Sequence, residues 1–168
     1  MVDMTSLPIL QVSLDGNQVS DRDAAGLTGL RLQQRLSQPS LCELYFSHPY
    51  GSLDIFANAH PGQELKVSVP GAPQDLFRGD LTALEYHYPG ENQQEVYLRA
   101  YDRLHRLRKR QMVRTFEDIN LSRLIRTLCR DLGLGAVKVP GSNPAWPLVL
   151  QHSQTDLELL VEMAALEG

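Results

Sequence analysis

Apolar and polar residues alternate along much of the first hundred positions. The alternation is clean over 10–14, 41–46 and 65–69, and a weaker alternation covers 30–36. A period of two residues predicts strands that bury one face. Each run ends near Gly, Pro or an Asp-Gly pair, and such frequent turn residues between short strands are typical of an all-β domain.

One longer run, from Leu76 to Tyr88, changes parity along its length. Its apolar residues keep one parity up to Ala83 and take the other from Leu84 onward. A slip of one residue predicts a β-bulge near Ala83, and bulges bend strands as a barrel requires. Alternation over 96–100, after a turn-rich segment, predicts the second strand of a hairpin. The first part is therefore expected to fold as an antiparallel β-barrel.

Beyond position 120 the apolar period becomes that of a helix. From Leu121 the apolar side chains recur at i, i+3, i+4, i+7, i+8 and i+11, with Asn120 as the expected N-cap and Gly133 as the expected C-terminal glycine. The capping-box pattern Thr155-Asp-Leu-Glu158 predicts a second helix. One face of that helix carries Leu157, Leu160, Val161 and Ala164, and Leu159, Met163 and Leu166 widen the apolar area, so the helix is expected to be buried on two sides.

The spacing of glycine and proline divides the chain. These residues recur about every ten positions up to Gly90 and are absent from 91–132. The expected fold class is α+β, with a β-barrel domain at 1–102 followed by a small helix-rich α/β segment at 103–168. A short strand is expected at Val137 and Val139. The broad apolar surface of the last helix predicts that this segment is incomplete at its C-terminus.

Composition and charge narrow the class of protein. The 168 residues are 42% hydrophobic and 21% charged, which excludes a disordered chain. Neither a signal peptide nor a membrane span is expected, and Cys42 and Cys129 are expected to be reduced, buried thiols of a cytoplasmic protein. The net charge of −4 is the sum over three blocks: −7 over 1–98, +7 over 99–130 and −4 over 131–168.

The sequence lacks familiar catalytic motifs. It contains no nucleophile elbow, no phosphate-binding loop and no paired-histidine zinc motif. We therefore predict no catalytic residue, no metal and no cofactor, and we do not expect an enzyme. One alternative stays open, in which Glu85 and His87 share a strand face as an acid/base pair.

The main functional question is the role of the positively charged stretch 99–130, which we refer to as the basic block. It is either a surface for nucleic acid or an acidic partner, or a connector that pairs with the acidic first domain. Aromatic residues only flank the block, which leaves no stacking platform for bases and favours a protein-facing or intramolecular role. The candidate interaction residues are Arg103, Arg106, Arg108, Lys109, Arg110 and Arg114.

Three stretches carry a family resemblance. The first stretch is Tyr101-Asp-Arg-Leu-His-Arg-Leu107, which matches an aromatic-Asp-x-Leu-x-x-Leu pattern. As in that pattern, a basic run, an Arg-x-Phe motif (here Arg114-Thr-Phe116) and a helix follow it. The segment 151–168 matches a Gln-x-x-x-Ser-Asp pattern with a leucine-rich helix, although Thr155 replaces the serine. Positions 159 and 160 hold leucine where many relatives have an aromatic residue. The segment 76–81 looks like a Phe-x-Gly strand.

Together these stretches resemble the contractile-tail baseplate hub family. Its members include the phage late control gene D protein, the VgrG protein of type VI secretion and the hub-spike proteins of extracellular contractile injection systems. The resemblance implies a tube-protein-like first barrel and the N-terminal portion of a homotrimeric hub, which adapts a sixfold inner tube to a threefold spike. It implies no catalysis in this region.

The same resemblance implies the partners. They are the inner tube protein, the spike tip and baseplate proteins, in a particle assembled in the cytoplasm, without nucleic acid and without a membrane span. The alternative function is a β-barrel binding module that takes nucleic acid or an acidic partner through 99–130.

Overall fold

The computed structural model of the chain describes residues 10–48, 56–91, 93–135, 139 and 144–167. The chain divides into two compact units, Met1–Arg35 with Pro39–Asp102 and Leu36–Gln38 with Arg103–Gly168. The elements in chain order are β1 (Gln11–Leu14), β2 (Asn17–Gln18), α1 (Asp21–Ala24), β3 (Leu27–Gln33), β4 (Leu41–His48), β5 (Glu64–Ser68), β6 (Phe77–Gly90), β7 (Gln93–Tyr101), a 3-10 helix (Arg103–Arg108), β8 (Arg114–Ile119), α2 (Leu121–Asp131), β9 (Trp146–Gln151) and α3 (Asp156–Ala165).

The first unit is built on one antiparallel sheet of seven strands. Its strand order is β2-β1-β5-β6-β7-β4-β3. The β1–β2 hairpin turns at Asp15 and Gly16, whose φ angles of 47° and 80° lie in the left-handed region that a tight hairpin turn requires. In the described residues no pairing joins the edge strands β2 and β3, so the closed barrel stays a prediction.

Alternation along the strands places one face of the sheet in an apolar core. On β4, Cys42, Leu44 and Phe46 are at most 1% exposed, as their parity predicts. Leu65 and Val67 of β5 are fully buried in the same core. The strands predicted at 10–14, 41–46 and 65–69 are confirmed, with ends that differ by a residue or two.

The predicted bulge in β6 is present, but it places Ala83 on the other face of the sheet from the one predicted. The pairing of β6 with β7 shifts between Leu81 and Ala83, which leaves Thr82 as the extra residue. Ala83 therefore lies opposite Arg99, away from the core, and the prediction that it shares a face with Leu81 is wrong. The prediction that Leu36 belongs to a strand is also wrong, since it lies beyond β3 and is 96% exposed.

The second unit packs two helices with a two-stranded antiparallel sheet of β8 and β9. Helix α2 begins as predicted, because the Asn120 side chain accepts a hydrogen bond from the Arg123 N–H at 2.9 Å. It also ends as predicted. Gly133, with a φ of 63°, lets the Leu134 N–H reach the carbonyl of Cys129 at 2.9 Å.

Other expectations for this unit need correction. The patterns do not predict β8 or β9, and Val139 belongs to no strand, while Val137 lies outside the described residues. On α3 Leu157, Leu159 and Met163 are buried, as the broad apolar area predicts, but Ala164 and Leu166 are exposed. Across the described ranges, none of the helices combines the length and the apolar character that crossing a membrane takes.

Candidate functional site

The six predicted interaction residues lie at the start of the second unit. The 3-10 helix buries His105 and Leu107 and carries basic residues on its other sides. Its segment includes Arg103, Arg106 and Arg108, with Lys109 directly after it; Arg110 and Arg114 come from the chain that leads into β8. These last two have different surroundings from the rest.

Arg110 and Arg114 converge on one carboxylate. Asp156, in the first turn of α3, is fully buried at 0% exposure. Its Oδ2 accepts hydrogen bonds from Arg110 Nε at 3.0 Å and Nη2 at 2.8 Å. Its Oδ1 accepts a bond from Arg114 Nη2 at 2.6 Å. Charge-assisted hydrogen bonds of this kind compensate a buried carboxylate for the water that it loses.

Two further side chains complete the cluster. Gln151, at the end of β9, accepts a bond from Arg114 Nε at 2.7 Å and donates from its Nε2 to Asp156 Oδ1 at 2.9 Å. Asp131, at the end of α2, accepts a bond from Arg114 Nη1 at 3.0 Å. We refer to Arg110, Arg114, Asp131, Gln151 and Asp156 as the arginine network. It ties β8 and β9 to the end of α2 and the beginning of α3.

The arginine network changes how the basic block is understood. Its two acids, Asp131 and Asp156, belong to the C-terminal acidic block, whereas the connector interpretation paired the basic block with the first domain. The side chains of Arg110 and Arg114 are only 27% and 19% exposed. Their positive charges are therefore neutralised within the second unit. An interaction role for the remaining four residues stays a prediction.

The capping box of α3 holds Asp156 in position. The Thr155 side chain accepts a bond from the Glu158 N–H at 3.2 Å, and the Glu158 carboxylate accepts one from the Thr155 N–H at 2.7 Å. The bonds that the carboxylate accepts, first from the Thr155 N–H and then from the Thr155 hydroxyl, lower the pKa of Glu158. Because the N-terminal end of a helix favours negative charge, the same turn is a favourable place for the Asp156 carboxylate.

Two residues of the family-like motifs have clear structural roles in the first unit. A Cβ at Gly79 would lie 2.2 Å from the carbonyl oxygen of Tyr101, so no other residue fits there without a backbone shift. The Asp102 carboxylate accepts a bond from the Ser40 N–H at 2.8 Å, and the Asp102 N–H donates to the Ser40 carbonyl at 3.0 Å. Both positions therefore serve backbone packing.

An ion-pair cluster lies on the outer face of the sheet. Glu43 of β4 accepts bonds from Arg31 Nη1 at 3.2 Å and from Arg99 Nε at 3.0 Å. Burial alone raises the pKa of Glu43, but the bonds and charges of Arg99 and Arg31 outweigh burial and lower it. The arginine side chains are 61% and 47% exposed, so water screens much of this attraction.

The acid/base alternative finds little geometric support. Glu85 and His87 do share a face, but the nearest atoms are 3.8 Å apart and both side chains are more than half exposed. Within the described parts of the chain, no group of three or more His, Cys, Asp or Glu side chains is arranged to hold a metal ion.

The two cysteines are buried thiols that form no disulfide, as the sequence predicts. Burial, with the nearby Glu43 charge, raises the pKa of Cys42 to about 12. Burial also raises the pKa of Cys129. Since the thiolate is the nucleophilic form, both side chains act as packing groups.

Neither a family model nor a curated protein matches the chain by sequence. Among solved structures the chain is similar to the 43 kDa tail protein of prophage MuSo2 from Shewanella oneidensis, with a TM-score of 0.73 and 16% identity over 96% of this chain and 50% of that one. The tail protein of Neisseria meningitidis MC58 gives a TM-score of 0.69 and 12% identity over 93% and 45%. The chain has the fold of phage tail proteins.

A third similar structure extends this fold to type VI secretion. The E. coli c3393 protein, a type VI secretion component with structural similarity to the T4 phage tail proteins gp27 and gp5, gives a TM-score of 0.66 and 13% identity over 90% and 42%. The resemblance to the baseplate hub family is thereby confirmed at the level of the fold. The chain spans about half the length of these structures.

Proposed function

We propose that the chain is a structural component of a contractile-tail baseplate, the hub subunit that adapts a sixfold inner tube to a threefold spike. The observation that carries the proposal is the match of 96% of the chain, through both units, to a phage tail protein. Likeness to a type VI secretion component supports the same class of machine.

In this proposal the protein works by geometry and rigidity. Three copies form a ring, and the seven-stranded sheets present a stiff surface on which the inner tube docks. The second unit, fastened by the arginine network, holds the helices that follow the sheet. Cohesion of the ring comes from surface buried between subunits, because permanent assemblies have large interfaces. Spike tip and other baseplate proteins complete the particle.

The proposal assigns no catalytic step to this region. Its support is that the motif residues Gly79, Asp102 and Asp156 are used for backbone packing and for a buried ion pair. Nucleic acid is not a proposed partner, since two of the six candidate cations, Arg110 and Arg114, are paired within the unit.

Co-expression with the inner tube protein of the same machine tests the proposal. We expect electron microscopy to reveal threefold rings stacked on the ends of tubes. A protein that folds, as judged by circular dichroism, but forms no ring and binds no tube would contradict the proposal. Omission of the tube protein is the control, and it should leave free rings.

A further inference from the structure

Helix α2 carries three arginines along one side. Arg123, Arg126 and Arg130 follow the spacing i, i+3, i+7, which aligns side chains on one face over about 10 Å. All three are exposed, and the opposite side of the helix lies in the core. We refer to these three residues as the arginine stripe.

The stability of the helix does not explain the arginine stripe. Arg123 is the third helical residue, where the helix dipole disfavours a cation and where α3 has Glu158 instead. Arg126 and Arg130 form a like-charged pair at i, i+4, an unfavourable spacing for equal charges. The one acid of α2, Asp131, bonds Arg114 of the arginine network instead.

One member of the arginine stripe is already held in place. Arg123 Nη1 donates to the carbonyl of Asp118 at 2.9 Å, which fixes the side chain and leaves other guanidinium donors free to bind. Over the described ranges, neither Arg126 nor Arg130 has a carboxylate within ion-pair distance. The arginine stripe therefore offers three positive charges to a partner.

A negative surface of similar size lies on the hairpin of β6 and β7. The sequence from Gly79 to Leu98 contains no Lys or Arg. Three glutamates occupy this stretch, Glu85, Glu91 and Glu95, and we refer to them as the acidic hairpin. The Glu85 side chain is 52% exposed, and Glu91 is also exposed.

The acidic hairpin differs from the other acids of the first unit. Glu43 and Glu64 each pair with arginine. In the described part of the chain, no Lys or Arg forms an ion pair with the glutamates of the acidic hairpin; Glu95 accepts a hydrogen bond from Tyr97. Glu85 and Glu95 are diagonal neighbours across the strands, about 7–8 Å apart, and Arg126 and Arg130 are about 6 Å apart along the helix axis.

We propose that the acidic hairpin of one copy binds the arginine stripe of a neighbouring copy. The inference rests on the proposed function in so far as that function requires several copies to assemble. The Glu85 and Glu95 carboxylates have a spacing close to that of Arg126 and Arg130, and arginine suits carboxylates because it can bind them with two parallel hydrogen bonds. A contact between two different surfaces repeats head to tail, and it gives the ring that a threefold hub needs when the rotation between neighbouring copies is one third of a turn.

Charge reversal with complementation tests this contact. The stripe variant is R126E/R130E and the hairpin variant is E85R/E95R. The matched control is R22E/R35E, which changes the same total charge at exposed arginines of the first unit. Self-association is measured by sedimentation velocity over a range of protein and salt concentrations, and circular dichroism checks that each variant folds.

We expect the wild type to associate, more strongly at low salt, and each reversed variant to lose at least about tenfold in association constant, since attractive pairs become repulsive. An equimolar mixture of the two reversed variants should restore association as pairs of unlike variants, because a ring of three keeps at least one repulsive contact between like variants. The combined variant E85R/E95R/R126E/R130E should restore the closed ring. R22E/R35E should behave as the wild type. Restoration in the mixture requires contact between different molecules, so it separates this contact from one within a chain.

Several results would overturn the inference. They are a wild type that stays monomeric, a stripe variant that associates as the wild type does, or a mixture that fails to recover. Binding of a DNA or RNA oligonucleotide that R126E/R130E abolishes would assign the arginine stripe to nucleic acid instead. If the stripe variant still forms rings on tubes, this inference fails and the proposed function stands. If complementation succeeds but the protein does not dock on tubes, this inference stands and the proposed function fails.

Discussion

The two units of the chain use the pairing of arginine with acid in different ways. In the first unit a broad apolar face of the sheet supplies the core, and Glu43 meets its arginines on the outer face. In the second unit the core is smaller, and the carboxylate of Asp156 lies fully buried where strands and helix ends meet. Water therefore screens the arginines of Glu43, although the Glu43 side chain itself is only 9% exposed, whereas both arginines of Asp156 lie mostly inside the second unit.

The substitution Asp156→Ala should have the largest effect on the free energy of unfolding of the second unit. It leaves Arg110 and Arg114 without their buried counter-charge, and removal of one partner from a buried pair costs about 3–5 kcal/mol. Trp146, the single tryptophan, lies on β9 and reports urea unfolding of the second unit by fluorescence. Glu162→Ala, at an exposed position of the same helix, should stay within about 0.5 kcal/mol. Equal losses for the two variants would contradict the role of Asp156.

The first unit should be most sensitive to backbone packing. Gly79→Ala places a Cβ 2.2 Å from the Tyr101 carbonyl oxygen, and the overpacked strand should lose about 1–3 kcal/mol of unfolding free energy. Far-UV circular dichroism during urea unfolding measures the loss. Gly90→Ala is the control on the same strand, because a Cβ there would lie 3.5 Å from the flexible end of the Gln93 side chain. A harmless Gly79→Ala would show that the strands can move apart.

Alkaline pH should weaken the first unit through Cys42. The Cys42 thiol has a pKa of about 12 in the folded protein, whereas the pKa of a cysteine in an unfolded chain is about 8.5. The stabilisation is complete below the unfolded pKa and is lost as pH rises toward the folded value, by about 1.4 kcal/mol for each unit. Urea unfolding from about pH 8 to about pH 10 measures this slope. Cys42→Ala should have a shallower slope, and identical slopes would refute the assignment.

The smallest expected effect concerns the capping box of α3. Thr155→Ala removes the side-chain acceptor for the Glu158 N–H and should cost about 1 kcal/mol, while Thr155→Ser should keep most of the stability. The bonds from Thr155 lower the pKa of Glu158, so that pKa should rise in Thr155→Ala, as an NMR titration can measure. An unchanged pKa would show that the Thr155 hydroxyl does not bond the Glu158 carboxylate in solution.

Local patterns were enough to predict much of the fold. Alternation located β1, β4 and β5, because each strand buries one face, and the cap residues Asn120 and Thr155 marked where the helices begin. The bulge in β6 was also predictable, since a one-residue slip in parity has few other causes. These features depend on neighbours in the sequence.

The missed features depend on distant partners. The segment Arg114–Ile119 has no clear alternation, and Trp146–Gln151 contains a proline, so only their pairing with each other reveals β8 and β9. The arginine network joins Arg114 to Asp156 across 42 positions, and a count of charges cannot choose among many acids. The motifs Arg-x-Phe and Gln-x-x-x-Ser-Asp contained both residues but gave no sign that they meet.

The arginines of the basic block divide into those paired inside the second unit and those exposed on its surface. The most direct test compares the same substitution at two positions, Arg114→Met and Arg126→Met, by urea unfolding followed through Trp146 fluorescence. We predict a loss of about 1.5–3 kcal/mol for Arg114→Met, which removes one of the two arginines bonded to buried Asp156, and a change within about 0.5 kcal/mol for the exposed Arg126→Met. Similar losses at the two positions would contradict the claim.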